Sequence, residues 1–120
     1  MTKKNIKNSP YVILENDSLQ RAMEIITHNQ RGSVVVVNKK WRVMGVLADG
    51  EIRRAIIKGA TPNTPVIKIL NVNFISISPY ADKYIKNPNI ILSNHPNINI
   101  IPVTDKDNKL IDIIIREYRL

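Results

Sequence analysis

The sequence predicts an α/β fold of the α+β kind, built from two copies of one β-α-β-β-α unit, and three observations carry that prediction. Strand-like and helix-like segments follow one another as strand, helix, strand, strand, helix within about fifty residues. A Pro-marked connection, Thr61-Pro62-Asn63-Thr64-Pro65, comes next, and the pattern then restarts. The restart keeps register: Val34-Val35-Val36-Val37-Asn38 matches Ile101-Pro102-Val103-Thr104-Asp105. At the same offset Val43-Met44-Gly45-Val46-Leu47 matches Leu110-Ile111-Asp112-Ile113-Ile114, an internal repeat of roughly 65 residues.

Taken in order, Tyr11-Val12-Ile13-Leu14 is a short apolar strand. Asp17 is placed to cap the helix after it, with Gln20 as the capping-box partner. Leu19, Ala22, Met23 and Ile26 recur at i, i+3, i+4 and i+7, the stripe of an amphipathic helix, which Gln30-Arg31-Gly32-Ser33 stops. Residues 34–37 are an unbroken β-branched run, expected of a strand buried on both faces. Asn38-Lys39-Lys40 turns the chain, residues 42–47 return antiparallel, and a second helix runs from about Gly50 to Lys58, with Asp49 as its cap and Gly59 closing it. Residues 66–70 are a short apolar segment. Phe74-Ile75-Ser76-Ile77-Ser78 reads as a strand ended by Pro79. Residues 81–93, broken by Pro88 and rich in asparagine, hold a short or interrupted helix. Residues 98–103 and 110–115 form the last hairpin. The expected organisation is a flexible tail over 1–8, a first repeat over 9–70 and a degenerate second repeat over 71–120. That second copy stops where its closing helix should begin, as a fragment of a longer protein would, or a chain whose partner covers the bare sheet face.

Composition narrows the function. At 120 residues and 43% hydrophobic, the chain is long and apolar enough for one core or two small halves sharing one. No apolar run approaches the roughly 20 residues that span a bilayer, no signal core follows Met1, and cysteine is absent, so no membrane role and a cytoplasmic location are expected. The net charge of +8 invites nucleic acid, but eleven Lys/Arg against five acids sit in residues 1–60 and three of those eleven lie in the first seven residues. Aromatics are too sparse for a base-stacking platform, so nucleic-acid binding ranks last. His28 and His95 lack partners at ligand spacing, so no metal is required. Without a Gly-rich phosphate loop or a nucleophile–base constellation, the chain is not expected to be an enzyme.

One segment speaks about ligands: Gly45-Val46-Leu47-Ala48-Asp49-Gly50-Glu51-Ile52-Arg53-Arg54 joins a strand to a helix start, where free N–H groups and a positive dipole end converge. Glu51 favours its helix end by charge–dipole attraction, and Arg53 and Arg54 are within reach of a phosphate or simply solvated. Together with Ser33 to Asn38 and the repeat, this segment resembles a pair of CBS domains, the regulatory module named after cystathionine β-synthase. The segment Asn63-Thr64-Pro65-Val66-Ile67-Lys68-Ile69-Leu70-Asn71-Val72-Asn73 is similar to the CBS pairs placed before sugar-phosphate nucleotidyltransferase domains, the mannose- or heptose-phosphate guanylyltransferase-like proteins of bacteria and archaea. The resemblance implies two repeats related by a pseudo-two-fold axis. It implies a homodimer, a nucleotidyltransferase domain as the covalent partner, and a regulatory adenosine-containing ligand (AMP, ADP, ATP or S-adenosylmethionine) in clefts between the halves. The family's Gly-x-x-Thr/Ser-x-x-Asp pattern would place Ala48 at the phosphate-holding hydroxyl and Glu51 at the ribose-holding carboxylate. Ser33, Val34 and Val35 would then line the first cleft, and Ser78 and Pro79 the second. In the second copy Asp112, Ile115 and Tyr118 replace the glycine, hydroxyl and carboxylate. A ligand-free dimerisation scaffold is the alternative those departures leave open.

Overall fold

The computed structural model describes residues 9–116; the expected tail over 1–8 and Tyr118 lie outside them. The first unit comprises β1 (Val12–Leu14), α1 (Leu19–Asn29), β2 (Ser33–Val37), β3 (Val43–Ala48) and α2 (Asp49–Ile57). A 3-10 turn at Val66–Lys68 leads to α3 (Asp82–Lys86), α4 (Asn89–Leu92), β4 (Ile100–Thr104) and β5 (Leu110–Ile115). β2 is central, parallel to β1 and antiparallel to β3, while β4 and β5 pair antiparallel in a second sheet. This is the expected mixed fold.

The valine run of β2 explains how the layers stack. Successive side chains of a strand point to opposite faces, and all four valines are fully buried. Val34 and Val36 join Leu19, Ala22 and Ile26 of α1 and Ile52 of α2. Val35 and Val37 face the other way, onto Ile100, Leu110 and Ile113 of the second sheet. A third cluster, Ile77, Leu92, Ile101 and Val103, lies under α4. The order through the molecule is therefore helices, sheet, sheet, helices.

The two hairpins repeat at an offset of 67. Adding it to both members of each β2–β3 pair gives a β4–β5 pair: Ser33 with Ala48 becomes Ile100 with Ile115, and the register shift at Val36/Val37 becomes that at Val103/Thr104. The turns repeat as well. Asn38 Oδ1 accepts from the N–H of Lys40 and Arg42, and Asp105 Oδ1 from those of Asp107 and Lys109. Trp41 and Asn108 both hold φ near 64°. The tips also pair with each other: Leu110 N donates to Trp41 O at 2.8 Å and Val43 N to Asn108 O at 2.9 Å. Two-fold exchange of the repeats maps one of these bonds onto the other.

Three expected details change. Ser18, not Asp17, caps α1 by accepting from Arg21 N, because Asp17 turns back to accept from Leu14 N. α2 begins at Asp49, so Asp49 is its first helical residue and Ala48 the cap position, where Glu51 Oε1 accepts from the Ala48 N–H at 3.0 Å. Residues 74–78 are not a strand. Asn71 bridges to Val46 of β3 whereas Ile77 bridges to Val103 of β4, so the chain passes from one sheet to the other between them and residues 74–78 run along neither. The helical stretch after it is interrupted as expected, in two short pieces on either side of Pro88.

Candidate functional site

Ser33 opens β2 and Ala48 closes β3, and the two are register partners. α2 starts at once and brings Glu51 to the same spot on its first turn. Opposite them run residues 71–75 of the connection and 97–100 before β4, and the space between is a cavity of about 300 Å³. That is the lower end of the roughly 300–1,000 Å³ found for small-molecule sites.

The backbone is fitted closely around this cleft. Asn71 and Val46 exchange two hydrogen bonds, at 3.1 and 3.2 Å, which draws the connection over Gly45. A Cβ on Gly45 would stand 2.5 Å from Asn71 O and 2.5 Å from Leu70 Cδ1, closer than real Cβ atoms come. The glycine of the strand–helix segment is thus required by chain crossing. On the other wall Gly32, at φ 73°, accepts from Asp49 N, and Asn99 Nδ2 donates to Arg31 O at 3.0 Å. Asn29 fixes the start of β2: its Nδ2 donates to Pro10 O and Ser33 O, and its Oδ1 accepts from Arg31 N at 2.7 Å.

The lining chemistry is one carboxylate (Glu51), one hydroxyl (Ser33), the carboxamides of Asn71, Asn73, Asn97 and Asn99, and the ring of Phe74. Neutral donors and acceptors around an aromatic ring suit a planar heterocycle with a hydroxyl-bearing substituent. Glu51 has a second task, since its Oε1 caps α2 and its Oε2 accepts from Arg54 Nη2 at 3.2 Å. A carboxylate has about four acceptor sites, so both bonds leave it capacity toward the cleft.

The structure brings Ser33, Ala48 and Glu51 together at this cleft. Val34 and Val35 are instead fully buried, one in each core, and present nothing to it. Arg54 lies on an adjoining groove and Arg53 is exposed on α2. Ser78 and Pro79 line a separate groove of about 240 Å³ beside Thr104 and Lys106, which shares no residue with the cleft. The counterparts of Ser33 and Ala48 in the second repeat are Ile100 and Ile115, both apolar. The counterpart of Glu51 is Tyr118, outside the described residues.

Sequence reasoning missed the asparagines. Asn71 and Asn73 lie in the segment 63–73 and Asn97 and Asn99 beside the expected strand 98–103, with no signal of a site, and the antiparallel bridge to Val46 is what turns the first pair toward the cleft. Among the described residues no three His, Cys, Asp or Glu side chains gather as a metal ion needs, and no helix is long and apolar enough to cross a membrane.

Comparison with known proteins bears on the fold. The CBS domain family model matches residues 1–58. An uncharacterized protein of Helicobacter pylori is 26% identical over 107 residues, covering 86% of this chain but 31% of the relative, so the chain spans about a third of that protein's length. Among solved structures, AcuB of Vibrio cholerae superposes with a TM-score of 0.74 at 22% identity, over 88% of this chain and 76% of that one. OpuCA of Staphylococcus aureus gives 0.67 at 18%, over 90% and 86%. A CBS domain protein of Pyrobaculum aerophilum, complexed with AMP, gives 0.67 at 18%, over 88% and 79%. Residues 1–58 therefore match a CBS domain, and the chain as a whole has the fold of CBS-domain proteins.

Proposed function

We propose that this chain is a regulatory, non-catalytic cytoplasmic module that senses an adenosine-containing nucleotide in the cleft between its repeats and controls or positions a fused sugar-phosphate nucleotidyltransferase domain. The observation that carries the reading is the cleft itself, with the Glu51 carboxylate and Ser33 hydroxyl at one wall and Phe74 and four carboxamides at the other. In this reading Glu51 accepts the ribose hydroxyls and the asparagines read the base. The AMP complex of the Pyrobaculum aerophilum protein, which shares the fold, supports an adenine nucleotide as ligand. A covalent partner domain agrees with the threefold greater length of the Helicobacter pylori relative and with the likeness of residues 63–73 to CBS pairs that precede nucleotidyltransferase domains.

Calorimetric titration with AMP, ADP, ATP and S-adenosylmethionine tests the reading. Binding of at least one is expected. At a ligand concentration about 100 times its dissociation constant, the fold should gain about 2.7 kcal/mol. No heat and no thermal shift with all four would sink it.

A ligand-free dimerisation scaffold is the second reading, favoured by Ala48, which offers no hydroxyl, and by the engagement of Glu51 with Ala48 and Arg54. Both readings expect a homodimer. Ile56 and Ile57 of α2, 48% and 77% exposed, supply an apolar face for it. A monomer by light scattering at high concentration counts against both. Ala48→Thr with Glu51→Asp separates them, because binding gained only in that variant marks a retired site.

A further inference from the structure

Beyond the cleft, the described chain holds a second and larger cavity, a groove of about 470 Å³ between one face of α2 and the segment that follows the 3-10 turn. Arg54 comes from α2 and Lys58 from the C-cap position just after it, about one turn from Glu51 and from each other along the chain, and Lys68 ends the 3-10 turn on the opposite wall. Ile69 and Leu70 form the floor. Three cations against one carboxylate leave the groove with a net positive charge.

The groove and the cleft meet. Glu51 lines both, and the far wall passes from one to the other between Leu70 and Asn71, consecutive residues. The seam is marked by the Glu51–Arg54 ion pair at 3.2 Å, whose arginine side chain is 65% exposed and whose glutamate side chain is 25% exposed. The cleft lies at the small end for ligand sites and, among the described residues, its lining holds no cation. A nucleoside fits that chemistry and its phosphates do not, so a phosphate chain leaving the cleft past Glu51 emerges among the three cations.

We propose that the groove of Arg54, Lys58 and Lys68 is a polyphosphate subsite that makes the module prefer nucleoside triphosphates over monophosphates. The inference rests on the nucleotide reading of the cleft and adds the ligand class within it. Arg54 spends only Nη2 on Glu51, so a ligand hydroxyl can take the spare acceptor capacity of the carboxylate while the remaining guanidinium N–H groups make charge-assisted bonds to a phosphate. Lys58 and Lys68 act as point charges farther along the chain. All three are exposed, so the preference is moderate and salt-sensitive.

The test is calorimetric titration of AMP, ADP and ATP, magnesium-free, into the wild-type chain and the Lys58→Gln/Lys68→Gln variant. Both side chains are exposed, and circular dichroism with the thermal midpoint checks that the variant stays folded. In the wild type ATP should bind about tenfold tighter than AMP, with ADP between them, and the margin should shrink as ionic strength rises from about 0.05 to about 0.5 M. In the variant the margin should fall to about twofold while AMP affinity is unchanged. Equal wild-type affinity for AMP and ATP overturns the subsite and leaves the nucleoside reading standing. So does an ATP preference that the variant keeps. No binding of any of the three overturns the subsite, and no binding of S-adenosylmethionine as well overturns the adenosine-ligand reading with it.

Discussion

Two residues of the strand–helix segment have separable jobs. Gly45 is there because Asn71 O and Leu70 Cδ1 would each lie 2.5 Å from a Cβ. Gly45→Ala must therefore push the connection off β3, and a destabilisation of about 1–3 kcal/mol is expected in denaturant unfolding, the usual range for overpacking. Glu51 is different. Glu51→Gln keeps an oxygen to accept from Ala48 N but loses the charge toward Arg54 and the helix end. Its thermal unfolding should shift by no more than about 0.5–1 kcal/mol, whereas nucleotide affinity should fall by about tenfold as a charged hydrogen bond becomes a neutral one. Glu51 was legible in the sequence because a carboxylate at a helix start has a local physical signature. The four asparagines were not, because nothing in residues 71–73 or 97–99 says which strand they cross. Val34 and Val35 were over-assigned to the cleft for the opposite reason: full burial on both faces, itself legible from the unbroken valine run, leaves no side chain free to line a site.

At the scale of elements, the second repeat replaces regular structure with side-chain ties. α3 and α4 are five and four residues long, too short to be stable on their own. Arg116, just past β5, holds the stretch after α4 in place: its Nε donates to Ile98 O, and its Nη2 to Leu92 O and His95 O at 2.7 and 2.8 Å. Arg116→Ala would leave three carbonyls short of a charged donor. A loss of about 2–3 kcal/mol is expected, with faster amide exchange across residues 92–98 than elsewhere. Arg116→Lys should recover only part of it, since an ammonium lacks the planar fork. The hairpins of both repeats were readable from β-branched runs and turn residues. The strand expected over 74–78 was not formed, because alternation within five residues cannot reveal that the chain just before it, at Asn71, is tied to one sheet while Ile77 is tied to the other.

For the whole molecule, the repeats share a core. Val35, Val37 and Val43 of the first repeat share one buried cluster with Ile100, Leu110 and Ile113 of the second, flanked by Tyr11, Val12, Trp41, Phe74 and Ile115. A fragment of residues 1–70 should therefore lack cooperative unfolding and sharp amide dispersion, and the intact chain should unfold in a single transition by circular dichroism and calorimetry alike. A stably folded fragment would show that the repeats are independent. The same reciprocity between hairpin tips, Trp41 with Leu110 and Asn108 with Val43, bears on how the protein is made. Contacts about 67 residues apart close only after the second hairpin has left the ribosome, and at about 5–20 residues per second that leaves the valine face of β2 bare for several seconds of synthesis. The nascent first half thus carries an uncovered apolar face, and the arrival of Leu110 and Ile113 is the event that ends its exposure.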